Sequence, residues 1–143
     1  MPSEIIKGAI SVDDRGSVRF VNDFDFKGVK RFYQVENHRC GFIRAWHGHK
    51  KEAKYVYVAT GTALVGVVPL DAKEGDLEKL QKFVLSDKTP SVLYIPAGNF
   101  NGFMNLEGET SVIFFSTSTL KESQGDDIRK NYDCWDIWQD DFR

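Results

Sequence analysis

Along much of the chain, apolar and polar residues alternate in short runs broken by turn residues. SVRFVNDF (17–24), which follows Asp13-Asp14-Arg15-Gly16, is the first such run, and RFYQVEN (31–37), GFIRAWHGH (41–49) and KYVYVATG (54–61) come next. TALVGVVPL (62–70), QKFVLS (81–86), SVLYIPAG (91–98) and TSVIFFSTS (110–118) complete the series. Evenly spaced runs of this kind predict an all-β sandwich or barrel. In KYVYVATG, Tyr55 and Tyr57 share one face of the strand and Val56 and Val58 the other, as a period of two requires. Thr60-Gly61, between two β-rich runs, reads as a hairpin turn.

Two stretches depart from this pattern. Residues 72–82 are polar, with Leu77 and Leu80 at a helical spacing, and fit a surface loop or a single helical turn. The tail, residues 121–143, reads as short helical or irregular structure. Its Trp135, Ile137, Trp138 and Phe142 are too apolar to hang free and are expected to pack on the barrel or on a partner subunit, although the two tryptophans are also candidates for stacking on a nucleotide base. Nothing else divides the chain, so its 143 residues are read as one domain, long enough to bury about two-thirds of the unfolded surface.

Composition narrows the function classes. Against 21 acidic residues stand 19 Lys and Arg, for a formal charge of -2, which argues against a nucleic-acid binder with a basic footprint. No apolar run approaches the ~20 residues that cross a bilayer, so no membrane span is expected. The first residues lack the basic start, apolar run and small-residue cleavage site of a secretory signal, and Cys40 and Cys134 are expected as reduced thiols in a cytoplasmic protein.

The chemistry concentrates in GFIRAWHGHKKEAK. His47 and His49, one residue apart on a strand, point to the same face, where two imidazoles could share a metal ion. Arg44, Lys50, Lys51 and Lys54 surround them in a slightly acidic chain, which implies a local anion site. Imidazole can take a proton from carbon beside a carbonyl when a cation stabilises the enolate oxygen. His47 is then the base, Lys54 the enolate partner and Arg44 a bidentate phosphate ligand. The plain alternative is a pair of histidines on a solvated strand face.

Two motifs resemble the cupin superfamily and test the metal reading. Gly41, His47, His49 and Gly61 fit the first cupin motif, but its Glu position is Lys54; in PAGNFNGFMN, Pro96, Gly98 and Asn105 fit the second, but Asn101 takes the His position. A protonated lysine has no lone pair for a dication, so no metal and no other cofactor is expected.

Within the cupins the chain resembles the enzymes that rearrange nucleotide-linked 4-keto-6-deoxy sugars, above all the dTDP-4-dehydrorhamnose 3,5-epimerases. The resemblance rests on DDRGSVRF, QVENHRCGFIRAWH and LYIPAGNFNGF and implies a cupin jelly roll, with a homodimer as the expected state. It further implies that Arg15, Gln34, Asn37 and Arg44 bind the nucleotide diphosphate, that His47 is the C–H base, and that Asp133 or Asp127 supports it. Where that family has a catalytic tyrosine, SVIFFSTS carries Phe114 and Phe115, leaving Tyr55, Tyr57 or Tyr94 as candidate phenols in the barrel. RAWHGHKK and DDIRKNYDCW also resemble the sugar 3,4-ketoisomerases, which use two histidines of such a strand, and there Tyr33 is a further candidate acid. Epimerisation, at C3 alone or at C3 and C5, is thus the expected reaction on a dTDP-linked sugar. Ketoisomerisation and non-catalytic binding of a sugar nucleotide are the alternatives.

Overall fold

The computed structural model describes residues 2–139 and 143; Phe142, one of the apolar tail positions, lies outside them. In chain order the strands are β1 (Glu4–Lys7), β2 (Ala9–Asp13), β3 (Gly16–Phe20), β4 (Arg31–Glu36), β5 (Ile43–His49) and β6 (Lys54–Thr60). After them come β7 (Thr62–Pro69), β8 (Gln81–Ser86), β9 (Ser91–Ile95), β10 (Asn99–Asn105), β11 (Ser111–Ser116) and β12 (Ile128–Arg129), with helix α1 (Leu120–Gln124) before the last. One sheet runs β1-β9-β6-β11-β4 and the other β12-β5-β10-β7-β8, while β2 and β3 form a separate hairpin. The pairings within both sheets are antiparallel, and the result is the jelly roll that the strand pattern and the cupin motifs led us to expect.

The alternation along each strand decides what fills the space between the sheets. From β6 come Val56 and Val58, from β7 Ala63, Val65 and Val67, and from β11 Val112 and Phe114, joined by Leu85, Leu93, Ile95 and Phe103. The opposite face of the second sheet is also apolar, because Trp46, Val68 and Phe100 project outward there. Trp135 and Trp138 of the tail cover them. Each of the three indole N–H groups donates to a backbone carbonyl: Trp46 and Trp138 to Tyr132, and Trp135 to Lys73. Trp135 is fully buried in its own chain and has no face left for a nucleotide base.

One local reading needs correction. Thr60-Gly61 is not a hairpin, because β6 and β7 belong to different sheets and the chain crosses between them at Gly61. That corner needs glycine twice over: its φ is +83°, and a Cβ would lie 2.4 Å from the Glu109 carbonyl oxygen. PAGNFNGFMN, the second motif, is a turn only at its start and continues as β10, a central strand between β5 and β7. Residues 72–80 form a loop with no helix.

Candidate active site

Strict alternation along β5 would put His47 and His49 on one face and Arg44 on the other. The pairing with β10 shows why all three share a face: Asn101 opposes His47 but Phe103 opposes Arg44, so β5 carries one extra residue in between. This bulge reverses the parity of the strand, sending Trp46 outward and both Arg44 and His47 inward. Gly102 makes it possible, since a Cβ there would sit 2.5 Å from the Ala45 Cβ and 3.1 Å from the Arg44 carbonyl oxygen.

The inward positions line a cavity of about 370 Å³ between the two sheets. β5 supplies Arg44, His47 and His49, β10 supplies Asn101 and Phe103, and the facing sheet contributes Tyr33, Lys54 and Phe114. The mouth is closed on one side by the segment after β11, through Gln124, Asp127 and Arg129.

His47 and His49 sit in different environments. Burial is the largest influence on His47, and the positive charges of Lys54 and Arg129 add to it, with Asp127 pulling the other way; the imidazole pKa falls from 6.5 to about 4. His47 is therefore a neutral imidazole at physiological pH. His49 has a neighbour at each ring nitrogen: Nδ1 lies 2.7 Å from the Asp126 carbonyl oxygen and Nε2 3.2 Å from Glu52 Oε2. The Asp126 carboxylate accepts N–H bonds from Lys50, Lys51 and Glu52, tying the loop after β5 to the chain ahead of β12. Burial raises the pKa of Asp126, but those three donors outweigh it and the net shift is downward.

Lys54, at the inward end of β6, has its Nζ 3.6 Å from Glu52 Oε2 and 5.7 Å from the centroid of the Phe114 ring. Phe114 in turn stacks on Tyr33, with ring centroids 5.1 Å apart, because the two residues are direct partners across β11 and β4. Thus the phenol missing from β11 has a counterpart one strand away. The guanidinium of Arg31 lies 4.9 Å from the centroid of the Tyr33 ring.

Of the residues singled out in the sequence, Tyr33, Arg44, His47, His49, Lys54, Asn101 and Asp127 meet at the cavity, as does Phe114. The others are placed elsewhere. Asn37 stands behind Arg44, accepting a 2.6 Å bond from its Nε while donating to Asn105 Oδ1, so it orients the arginine. Gln34 faces outward and donates to Ser111 and Glu36. Tyr55 and Tyr57 lie on the outer face of their sheet, since they alternate with Lys54, Val56 and Val58; Tyr55 packs against Phe24 and Tyr94. Tyr94 is outward with it, so neither takes the place of the missing phenol. Arg15 sits at the tip of the β2–β3 hairpin, paired with Asp13, outside the cavity of its own chain. Asp133 is exposed in the 3-10 turn Tyr132–Trp135, whereas Asp127, the other aspartate considered for this role, lines the cavity. Arg129, Asp126 and Glu52 are the functional surroundings that the motif reading did not single out. Their signal was weak because they lie on a loop and on the tail, where periodicity says nothing about direction.

Lys54 and Asn101 occupy the cavity at the positions where metal-binding cupins have ligands. Among the described residues no group of three or more His, Cys, Asp or Glu side chains is arranged to hold a metal ion, and no helix is long and apolar enough to cross a membrane.

A two-sheet antiparallel jelly roll with this inward-facing site is a cupin fold. The family model described as dTDP-4-dehydrorhamnose 3,5-epimerase matches residues 4–138, and the chain belongs to that family of isomerases. The spore coat polysaccharide biosynthesis protein SpsL of Bacillus subtilis (strain 168) is 28% identical over 138 residues, covering 92% of this chain and 91% of SpsL. Among solved structures, ChmJ, a 3'-monoepimerase from Streptomyces bikiniensis in complex with dTDP-quinovose, superimposes with a TM-score of 0.76 at 20% identity, covering 99% of this chain and 77% of ChmJ. The 3,4-ketoisomerase QdtA from Thermoanaerobacterium thermosaccharolyticum, in complex with TDP-4-keto-6-deoxyglucose, gives 0.69 at 20% identity, covering 92% and 88%. At these identities the two structures share the fold with this chain.

Proposed function

We propose that the protein epimerises a dTDP-linked 4-keto-6-deoxyhexose at C3, without a metal, through an enolate. The observation that carries this reading is a neutral His47 on one sheet facing Lys54 and Tyr33 on the other. His47 takes the C3 proton, and the electron pair of that C–H bond moves to form the C3–C4 double bond as the carbonyl π pair goes to the oxygen. Lys54 stabilises that oxygen, and the Tyr33 hydroxyl returns a proton to C3 from the opposite face. Arg44, held by Asn37, and Arg129 at the mouth receive the diphosphate. Phe114 removes the usual phenol from β11, which supports reaction at C3 in preference to C5.

The ketoisomerase reading needs a second free base on the same strand. His49 is there, but its Nδ1 is engaged by the Asp126 carbonyl oxygen and its Nε2 lies 3.2 Å from the Glu52 carboxylate, which supports the epimerase. We place the enzyme in polysaccharide biosynthesis by its similarity to SpsL, in the cytoplasm, where Cys40 and Cys134 stay free thiols, and as a homodimer joined through the aromatic outer face bearing Phe26, Phe32 and Tyr55.

Incubation with dTDP-4-keto-6-deoxyglucose in heavy water tests the reaction. Deuterium at C3, with the keto group still at C4, is expected. A keto group moved to C3 means ketoisomerisation, and no exchange means a binding module. His47→Ala should abolish exchange while nucleotide affinity, read by calorimetry, stays within a few-fold of the native protein; retained exchange removes His47 as the base.

A further inference from the structure

On β10 one polar side chain is left without a protein partner at the point where the sugar must lie. Asn99 Nδ2 donates to the Pro96 carbonyl oxygen, and Asn105 Nδ2 donates to those of Arg39 and Glu107. Asn101, between them on the same strand, is 6% exposed and lines the cavity, yet its carboxamide has no hydrogen-bond partner among the described residues. A buried amide that the protein leaves unmatched is costly, and one that faces a cavity is available to a ligand.

The place of Asn101 in the sheet says which ligand atom it meets. Asn101 is the direct partner of His47 across β10 and β5, so the two side chains stand side by side on the inner face of the second sheet, while Tyr33 and Lys54 reach the cavity from the first. In the reaction above, His47 removes the C3 proton from its own side of the ring, and the Tyr33 hydroxyl supplies a proton from the other side. The C3–O3 bond stays intact throughout. Inversion at C3 therefore tilts the 3-hydroxyl away from Tyr33 and toward the sheet that bears His47 and Asn101. A carboxamide can both donate to that hydroxyl and accept from it, and, unlike an imidazole at the same position, it adds no further base next to His47.

We propose that Asn101 receives the 3-hydroxyl of the inverted sugar and so sets the preference of the site for the C3 epimer that it makes. The inference rests on the reaction proposed above and adds the group that tells its two ends apart. Lys54 faces O4 in both epimers, whereas O3 comes within reach of the carboxamide only after inversion. A site built around a hydroxyl discriminates against the compound that lacks it, because the polar group is then left unpaired.

Calorimetry on the full-length protein tests this with sugar nucleotides that carry a hydroxyl at C4 and so cannot form the enolate. The probes are dTDP-6-deoxyglucose, its C3 epimer, and the 3-deoxy compound that serves as the common reference for both. The native protein should bind the C3 epimer about tenfold more tightly than the reference, roughly the worth of one hydrogen bond, and dTDP-6-deoxyglucose within about threefold of it. In Asn101→Ala, which orphans no protein group, the C3 epimer and the reference should bind within about twofold of each other. A native protein that gains no more from the inverted 3-hydroxyl than from the original one, or a folded Asn101→Ala that keeps the gain, overturns the proposal. If Asn101→Ala does not fold, the comparison on the native protein decides it. Since none of these probes reacts, the outcome is separate from that of the heavy-water experiment. Exchange at C3 without a preference for the inverted hydroxyl removes the role of Asn101 alone, and a lack of exchange removes the reaction while the binding comparison still decides what Asn101 receives.

Discussion

Two imidazoles two positions apart on one strand end up in different surroundings. His47 loses hydration and faces Lys54 and Arg129, so its pKa drops to about 4, whereas His49 is held between a carbonyl and a carboxylate. The sign of the pH dependence follows. In the free enzyme His47 stays a base down to about pH 4, so the acid limb of kcat/KM should fall there and not near 6.5. A bound diphosphate adds negative charge, favours the imidazolium and should move the acid limb of kcat to higher pH. Asp127→Asn should shift the kcat/KM limb lower and Arg129→Ala should shift it higher, as exchange rates measured from pH 3.5 to 8 would show; limbs that stay in place exclude those charges as neighbours of the base. The same depressed pKa makes this residue's contribution to folding stability fully present above pH 6.5 and lost as pH falls toward 4, because the unfolded imidazole binds its proton first.

At the level of elements, the site depends on one extra residue in β5. The bulge between Arg44 and His47 aligns a phosphate ligand with a base, and Gly102 of β10 leaves room for it. Gly102→Ala should destabilise the fold by about 1–3 kcal/mol through overpacking. Because the added methyl presses on the backbone at Arg44, KM should rise more than kcat falls. Urea unfolding together with steady-state exchange kinetics checks both effects, and a variant with native stability and native KM would show that the bulge tolerates a Cβ. Asn37 belongs to this unit as well, since it receives Arg44 Nε and hands the connection on to Asn105.

For the molecule as a whole, the tail is part of the active site's support. Trp135 and Trp138 pack on Trp46 and Phe100 across the outer face of the second sheet. Between them and α1 the chain must pass the cavity mouth, and there it presents Asp127 and Arg129. Trp135→Ala should cost about 3–5 kcal/mol by opening this second core. It should also weaken the anchoring of His49 and the mouth, so exchange activity should fall even where circular dichroism shows the sheets intact. Full activity in a variant destabilised by that amount would separate the tail from the site.

How much of this was legible beforehand differs residue by residue. The period of two in KYVYVATG correctly divides Tyr55 and Tyr57 from Val56 and Val58, but which face is inward depends on what packs across the barrel. The opposite face won, and Lys54 came inward with the valines. The all-β class, the His47 and His49 strand and the cupin motifs depend on local spacing along one strand, which a sequence carries directly. The bulge that turns Arg44 toward His47, the sheet crossing at Gly61, and the meeting of Glu52, Arg31 and Asp126 around His49 depend on partners distant in the chain. Strand chemistry is written in neighbouring residues. Register, facing and the state of a buried charge are decided only when tertiary packing sets which groups share a space with no water.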